Sequence, residues 1–320
     1  MTRTSARTAG DVLAAAICTH AEAVLRGHDG VRAAAAVPAP GAPDAGDDAV
    51  HDARVAVRRL RATLRVFRDC TAPEPGTVEA LTWWVRALGA ARDAEVQQDG
   101  LAALAADLAP GSPDVHAGLV VLDGALRAAH DEARAGVRAA HSSARARDLT
   151  ARLDALASAP PLGPGADGEA AATLRPGVER ELARVERRAG PVAGRRGPGP
   201  AHRSSRAAAG GRGDAPTAPS ATRPPPDVVH RLRKAVRRAR YAAEVLATSG
   251  DRATDRWADD VVAHHRELQD LLGTVHDADV LRATLLGLRT ERTAAAVDAC
   301  VRLGDARAAQ ALAAAVAALP

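Results

Sequence analysis

The 320-residue sequence is poor in aromatic side chains, with one Phe, one Tyr and three Trp. Isoleucine occurs once, at Ile17, and asparagine not at all. Strands favour aromatic and β-branched residues, so these shortages argue against a sheet-rich protein. Cysteine is also scarce: Cys18, Cys70 and Cys300 are too few and too widely spaced for a disulfide framework or a zinc site. They are expected to be small packing residues of a protein in the reducing cytoplasm. No apolar run approaches the roughly 18–20 residues that cross a bilayer. Arg3 and Arg7 precede a short apolar stretch, Val12–Cys18, but Asp11 interrupts it and it is weak as a signal peptide.

What is abundant is alanine, which loses no side-chain entropy in a helix. An all-α protein is therefore expected, of one large or two medium domains. Arginine outnumbers lysine 42 to 1, the single lysine being Lys234. A GC-rich genome produces that bias by codon usage alone, so the number of arginines says little. Their positions are informative.

Helical periodicity is broken in three places. Val37–Gly46 and Ala159–Gly168 read as loops. The stretch from Gly190 to Pro226, dense in Gly, Pro, Arg and Ser, has no apolar face and reads as a disordered insertion. Its arginines (Arg195, Arg196, Arg203, Arg206, Arg212 and Arg223) read as a solvated linker, with assistance to a polyanion as the alternative.

Two ordered motifs occur twice. His51, Arg54, Val57, Arg58, Arg59 and Arg61 match His230, Arg233, Val236, Arg237, Arg238 and Arg240 in type and spacing. Leu88-Gly89-Ala90-Ala91-Arg92-Asp93-Ala94-Glu95-Val96 aligns with Leu272-Gly273-Thr274-Val275-His276-Asp277-Ala278-Asp279-Val280. From His to this Gly is 38 residues in one half and 43 in the other. The pattern is that of a duplicated helical unit, with halves of about 1–160 and 168–320. Gly89 and Gly273 suit the left-handed position past a helix end, and Asp93 and Asp277 the start of the next helix. The alternative is that these aspartates pair with arginines of the basic helix.

At about 100° per residue, His51, Arg54, Arg58, Arg61 and Arg65 share one helix face, opposite Ala53, Ala56, Leu60, Leu64 and Phe67. The second copy repeats this, with His230, Arg233, Arg237 and Arg240 opposite Leu232, Val236, Ala239, Ala243 and Leu246. Lys234 and Tyr241 flank the stripe. Residues 51–68 hold six Arg and one Asp, and residues 230–241 hold five Arg and one Lys with no acid. These two segments carry +5 and +6 of a chain whose net charge is +4, leaving −7 elsewhere. Like charges at i,i+4 repel, so such faces call for an anionic partner, or for acids on neighbouring helices. Arginine's planar fork suits phosphate oxygens. From His51 to Arg61 the face runs roughly 15 Å, a rail for an extended polyanion. The two histidines either donate to phosphate or act as structural groups at the helix start.

At these residues the sequence resembles the CHAD family, the conserved histidine α-helical domain. The resemblance is carried by Val50–Phe67, Trp83–Val96, Val229–Leu246 and Leu268–Val280, and spans nearly the whole chain apart from residues 190–226. It implies a single domain over 1–320, built as two pseudo-symmetric antiparallel helical bundles around a basic central groove. It also implies binding of inorganic polyphosphate, association with polyphosphate granules, and no catalysis by this domain alone; no cofactor and no metal-ligating residues are expected. The expected ligand-binding residues are His51, Arg54, Arg58, Arg59, Arg61, Arg65, His230, Arg233, Lys234, Arg237, Arg238, Arg240 and Tyr241. A CYTH triphosphatase domain, frequent beside CHAD, needs an ExExK signature. Glu179-Arg180-Glu181-Leu182-Ala183 fails it at the last position, so the chain resembles a stand-alone CHAD protein.

Three other readings compete. His-Asp pairs at His28, His51, His130 and His276 suggest an HD-type metal-dependent phosphohydrolase, with His264 and His265 as further ligands. Neither His51-Asp52 nor His276-Asp277 survives in both repeats, which weighs against it. A basic face also suits a nucleic-acid backbone, but stacking aromatics are nearly absent. A helical scaffold without a ligand is the third.

Overall fold

The computed structural model describes residues 7–36, 45–108, 112–194 and 223–319. Among them the chain forms nine α-helices: α1 (Ala9–Ala36), α2 (Ala45–Val66), α3 (Thr77–Leu108), α4 (Pro113–His141), α5 (Ala144–Ser158), α6 (Ala170–Val192), α7 (Pro226–Leu246), α8 (Arg252–Gly287) and α9 (Ala294–Ala317). No strand occurs among these residues, only isolated bridges at Thr8–Glu169 and Thr71–Leu162. The all-α expectation holds.

Local chemistry sets several boundaries. Ser112 and Ser143 cap α4 and α5 by accepting from the amides of Val115 and Ala146. The Asp251 carboxylate does the same for Thr254 at the start of α8, just after Gly250 at φ +88°. Ala159–Gly168 is the expected loop, containing one 3-10 turn at Pro164–Asp167. Of the first expected loop, residues 37–44 lie outside the described part, and Ala45 and Gly46 already belong to α2. Gly190, Pro191 and Val192 still belong to α6, and residues 195–222 of the expected insertion lie outside the described part.

One boundary expectation is overturned. Gly89 and Gly273 end no helix: both lie inside long helices, α3 and α8, and neither has positive φ. The apolar stripes Leu81, Trp84, Leu88 and Ala91, and Leu268, Leu272 and Val275, run through them and are buried on both sides. A glycine inside a helix costs only about 1 kcal/mol, which burial of those side chains exceeds. Asp93 and Asp277 therefore cap nothing and are free to serve another role.

Three apolar clusters hold the helices. The first joins α1, α2, α3 and α5 through Leu13, Ile17, Leu60, Leu81, Trp84 and Leu149. The second joins α6, α7, α8 and α9 through Val185, Leu232, Val236, Leu268 and Leu272. The third joins the far ends of α3 and α8 to α4 and α9 through Leu104, Leu122, Leu285 and Cys300. All three cysteines are free thiols, with Cys70 and Cys300 buried among apolar neighbours. Gly27 lets α1 approach α2 closely, since a Cβ there would lie 2.6 Å from that of Ala53. That contact fixes the buried side of α2, and so the direction of its arginines.

Candidate anion-binding site

The apolar faces of the two basic helices are buried as their periodicity requires: Ala53, Val57, Leu60 and Leu64 on α2, and Leu232, Val236, Ala239 and Ala243 on α7. The helices carrying the two copies of each motif meet like against like, α2 packing on α7 and α3 on α8. This brings together side chains that the sequence places in separate halves. Arg237 is the charge that acts most strongly on Arg58, followed by Arg54. Arg237 in turn feels Arg233, Arg54 and Arg61, and Lys234 feels Arg237 and Arg61. Arg61 also feels Arg65, Arg238 and Arg86.

The expected site residues divide by their partners. Some are held by carboxylates. Arg54 Nη1 donates to Asp93 Oδ1 at 2.9 Å and to the Gly89 carbonyl at 3.4 Å. Arg59 Nε donates to Glu244 at 2.9 Å, and Arg240 lies 3.7 Å from the same carboxylate. Arg238 pairs with Glu181 at 3.4 Å. Tyr241 is buried, with the guanidiniums of Arg240 and Arg59 over its ring at 4.9 and 5.6 Å. Arg59, Arg240 and Tyr241 therefore form a polar joint between α2 and α7, in which Arg240 and Tyr241 are buried and Arg59 stays partly exposed.

The others have no carboxylate within 4.0 Å among the described residues: Arg58, Arg61, Arg65, Arg233, Lys234 and Arg237. Arg61 has a weak contact with Thr82 at 3.4 Å. The Arg233 guanidinium lies over Gly273, 3.7 Å from where a Cβ would stand, and its Nε is buried without a hydrogen-bond partner. A methyl group at Gly273 would make only ordinary contact with that guanidinium, while a longer side chain would crowd it. Burial, then Arg237 and Arg54, lowers the Arg58 guanidinium to about 8, and burial lowers that of Arg237 to about 10. Both stay ionised at neutral pH. Charges concentrated in this way, with no acid among the described residues to match them, are costly to bury.

The histidines sit at one end of the cluster. His51 is exposed, and partial loss of solvent, then the charge of Arg92, lowers its pKa. His230 stacks on His276 of α8, with ring centroids 4.6 Å apart. His276 and Arg92 were not among the expected ligand residues. They occupy the same slot of the second motif, and that coincidence was the available signal. Asp93 sits on Arg54, and Asp277 feels Arg233 and Asp93. Asp93 thus pairs with an arginine of the basic helix, as the alternative reading had it, whereas Asp277 forms no such ion pair among the described residues and only feels Arg233 at longer range.

Arg223 is not a solvated linker residue: it pairs with Asp279 at 2.7 Å and Asp305 at 3.5 Å, tying the entrance of α7 to α8 and α9. The other five insertion arginines lie outside the described residues. The His-Asp pairs do not converge. His28 stacks on His141 at 3.9 Å, His130 Nδ1 bonds Gln98 at 2.6 Å, and His265 Nδ1 bonds the Val261 carbonyl at 2.9 Å. Among the described residues no three metal-binding side chains gather. A cavity of about 180 Å³ between α3, α8 and α9 is lined mainly by apolar groups such as Leu104, Leu281 and Leu285, and touches the basic cluster only through Asp277. Its lining does not suit a polyanion. No helix among the described residues is long and apolar enough to cross a membrane.

No curated protein matches this sequence. Among solved structures, the chain resembles PptA from Streptomyces chartreusis, with a TM-score of 0.69 and 22% identity over 98% of each chain. It also resembles the CHAD domain from the plant Ricinus communis, with a TM-score of 0.64 and 21% identity over 100% of this chain and 94% of that one. At such identities the likeness is one of fold. The CHAD domain model matches residues 15–286, and with both repeats inside that span the chain belongs to the CHAD domain family.

Proposed function

We propose that this protein binds inorganic polyphosphate, without chemistry of its own, in a basic groove formed where the two halves of an internal duplication meet. The CHAD family is associated with polyphosphate binding. The observation that carries the reading for this chain is the meeting of Arg58 with Arg237, flanked by Arg61, Arg233 and Lys234, with no carboxylate to neutralise them among the described residues. A chain of phosphates supplies a negative charge at each repeat and accepts the bidentate hydrogen bonds that guanidinium offers. A single small anion would leave most of the cluster unmatched. Attachment to polyphosphate granules in the cytoplasm is the cellular consequence we propose.

The test is a binding titration with polyphosphates of graded length at several salt concentrations. By analogy with nucleic-acid backbones, log affinity should fall linearly with log salt, each neutralised contact adding about 0.7–0.9 to the slope. Long chains should bind more tightly than tripolyphosphate because they engage both helices at once. Replacing Arg54 with Arg58, or Arg233 with Arg237, by Ala should weaken binding and flatten the slope with helicity intact. Unchanged affinity in both double variants would remove the site. Displacement of long-chain polyphosphate by duplex DNA at equal phosphate concentration would replace the ligand class with nucleic acid.

A further inference from the structure

We infer that His230 and His276 act as one proton-accepting pair in this site, so that a bound phosphate chain brings a proton with it. The inference rests on the polyphosphate reading and adds a regulatory property to it: binding that strengthens as pH falls.

The geometry is specific. His230 on α7 and His276 on α8 stack with centroids 4.6 Å apart and planes inclined at 34°. Nδ1 of His230 is buried and has no hydrogen-bond partner. The groups around the pair are named from each helix. On α7 they are Arg233, Lys234 and Arg237, and on α3 Asp93, which favours the charged form of His276. On α8 the next residue, Asp277, feels Arg233 most strongly among its charged neighbours. From α2, Arg54 acts on Arg237, while Arg233 acts on Arg58; the α2 cations thus bear on the arginines that surround the pair.

In the free protein both imidazoles are held to about 4. Burial is the first cause; the next is the charge of Lys234 for His230 and of Arg233 for His276. The pair is therefore neutral at physiological pH. A phosphate chain laid along Arg233, Lys234 and Arg237 cancels the repulsion and adds an attraction, and both changes raise the imidazole pKa. Where the bound pKa exceeds the free one, binding takes up protons, and affinity grows as pH falls through that window. The ceiling is about tenfold per pH unit for each proton.

The two halves differ on this point. The slot of His276 is filled by Arg92 in the first repeat, where its permanent charge is paired with Glu95 and acts on His51. The first half thus offers a fixed charge where the second offers a titrating one.

The experiment is calorimetry of the full chain with long-chain polyphosphate at pH 6, in two buffers of different ionisation enthalpy, which counts the protons taken up. Long chains keep the ligand's own end groups, which titrate near pH 6, to a small share. The wild type should take up a substantial fraction of a proton and bind about tenfold more tightly at pH 5.5 than at pH 7.5. His276→Gln and His230→Gln should each reduce the uptake, with circular dichroism confirming helicity. His276→Arg, which copies the first half, should bind at pH 7.5 at least as tightly as wild type and flatten the pH dependence. Binding without uptake, or uptake unchanged in the Gln variants, overturns this inference and leaves the polyphosphate reading standing. Absence of binding at every pH overturns both.

Discussion

Arg59 on α2 donates Nε and Nη2 to the Glu244 carboxylate on α7, at 2.9 and 3.4 Å. One residue earlier, Arg58 has no carboxylate within 4.0 Å among the described residues and lies under the charge of Arg237. The same pair of helices is thus held together by one arginine and pushed apart by its neighbour. Glu244→Gln keeps the shape of the joint but leaves Arg59 and Arg240 unneutralised. Urea unfolding should show a loss of about 1–2 kcal/mol, at the modest end because Arg59 is partly exposed. An unchanged midpoint would mean that apolar packing alone joins these helices.

Arg58→Gln should have opposite effects on stability and binding. Removing one of two like charges relieves repulsion, so unfolding free energy should rise by about 0.5–2 kcal/mol. Loss of a charged phosphate contact should weaken polyphosphate binding roughly tenfold. A variant that is both less stable and equally tight would show that Arg58 is a packing residue.

The motif glycines have different tolerances. A Cβ at Gly89 meets nothing within 4 Å, so Gly89→Ala should stabilise α3 by about 0.5–1 kcal/mol and leave binding unchanged. At Gly273 the nearest atoms are Nη2 and Nε of Arg233, at 3.7 and 3.8 Å. Gly273→Leu should displace that guanidinium and weaken binding while the helix persists. Paired thermal melts and binding titrations decide it; equal affinity for both variants would detach Gly273 from the site.

Stability should fall in mild acid, in part for reasons away from the candidate anion site. His28, stacked on His141 and Trp84, is held to about 4 by burial first and His141 second, below its ordinary 6.5. The unfolded chain binds the proton more readily, so this contribution is complete above about pH 6.5 and is lost as pH falls toward 4. Between pH 7 and pH 5 the cost from this group is about 1–2 kcal/mol. His28→Phe keeps a ring in the stack and removes the charge, so it should flatten the profile of urea midpoint against pH. A profile as steep as wild type would assign the acid sensitivity to the other histidines held to about 4, His20, His230 and His276.

Much of this was legible in order of residues. Alanine content and the apolar stripes of α2 and α7 specify helices and their buried faces, because a helix must bury its apolar side whatever its neighbours. The recurrence of His, Arg and Gly-x-x-x-Asp patterns marked both arginine-rich helices and the pair that packs against them. The Gly89 and Gly273 boundaries were misread because a glycine's local preference for helix ends is worth less than the burial on either side of it. Arg223 was misread because nothing local announces that Asp279 and Asp305, far along the chain, lie beside it.

The sequence by itself determined that the protein is helical, that two faces concentrate its positive charge, and that those faces belong to matching motifs. These are properties of spacing along one helix. The tertiary structure decided which cations are matched and which are bare. Arg59 and Arg58 are neighbours of the same chemical type, yet one meets Glu244 and the other comes under the charge of Arg237. Charge pairing depends on a few ångströms between separate helices, and only packing of the apolar faces sets those distances.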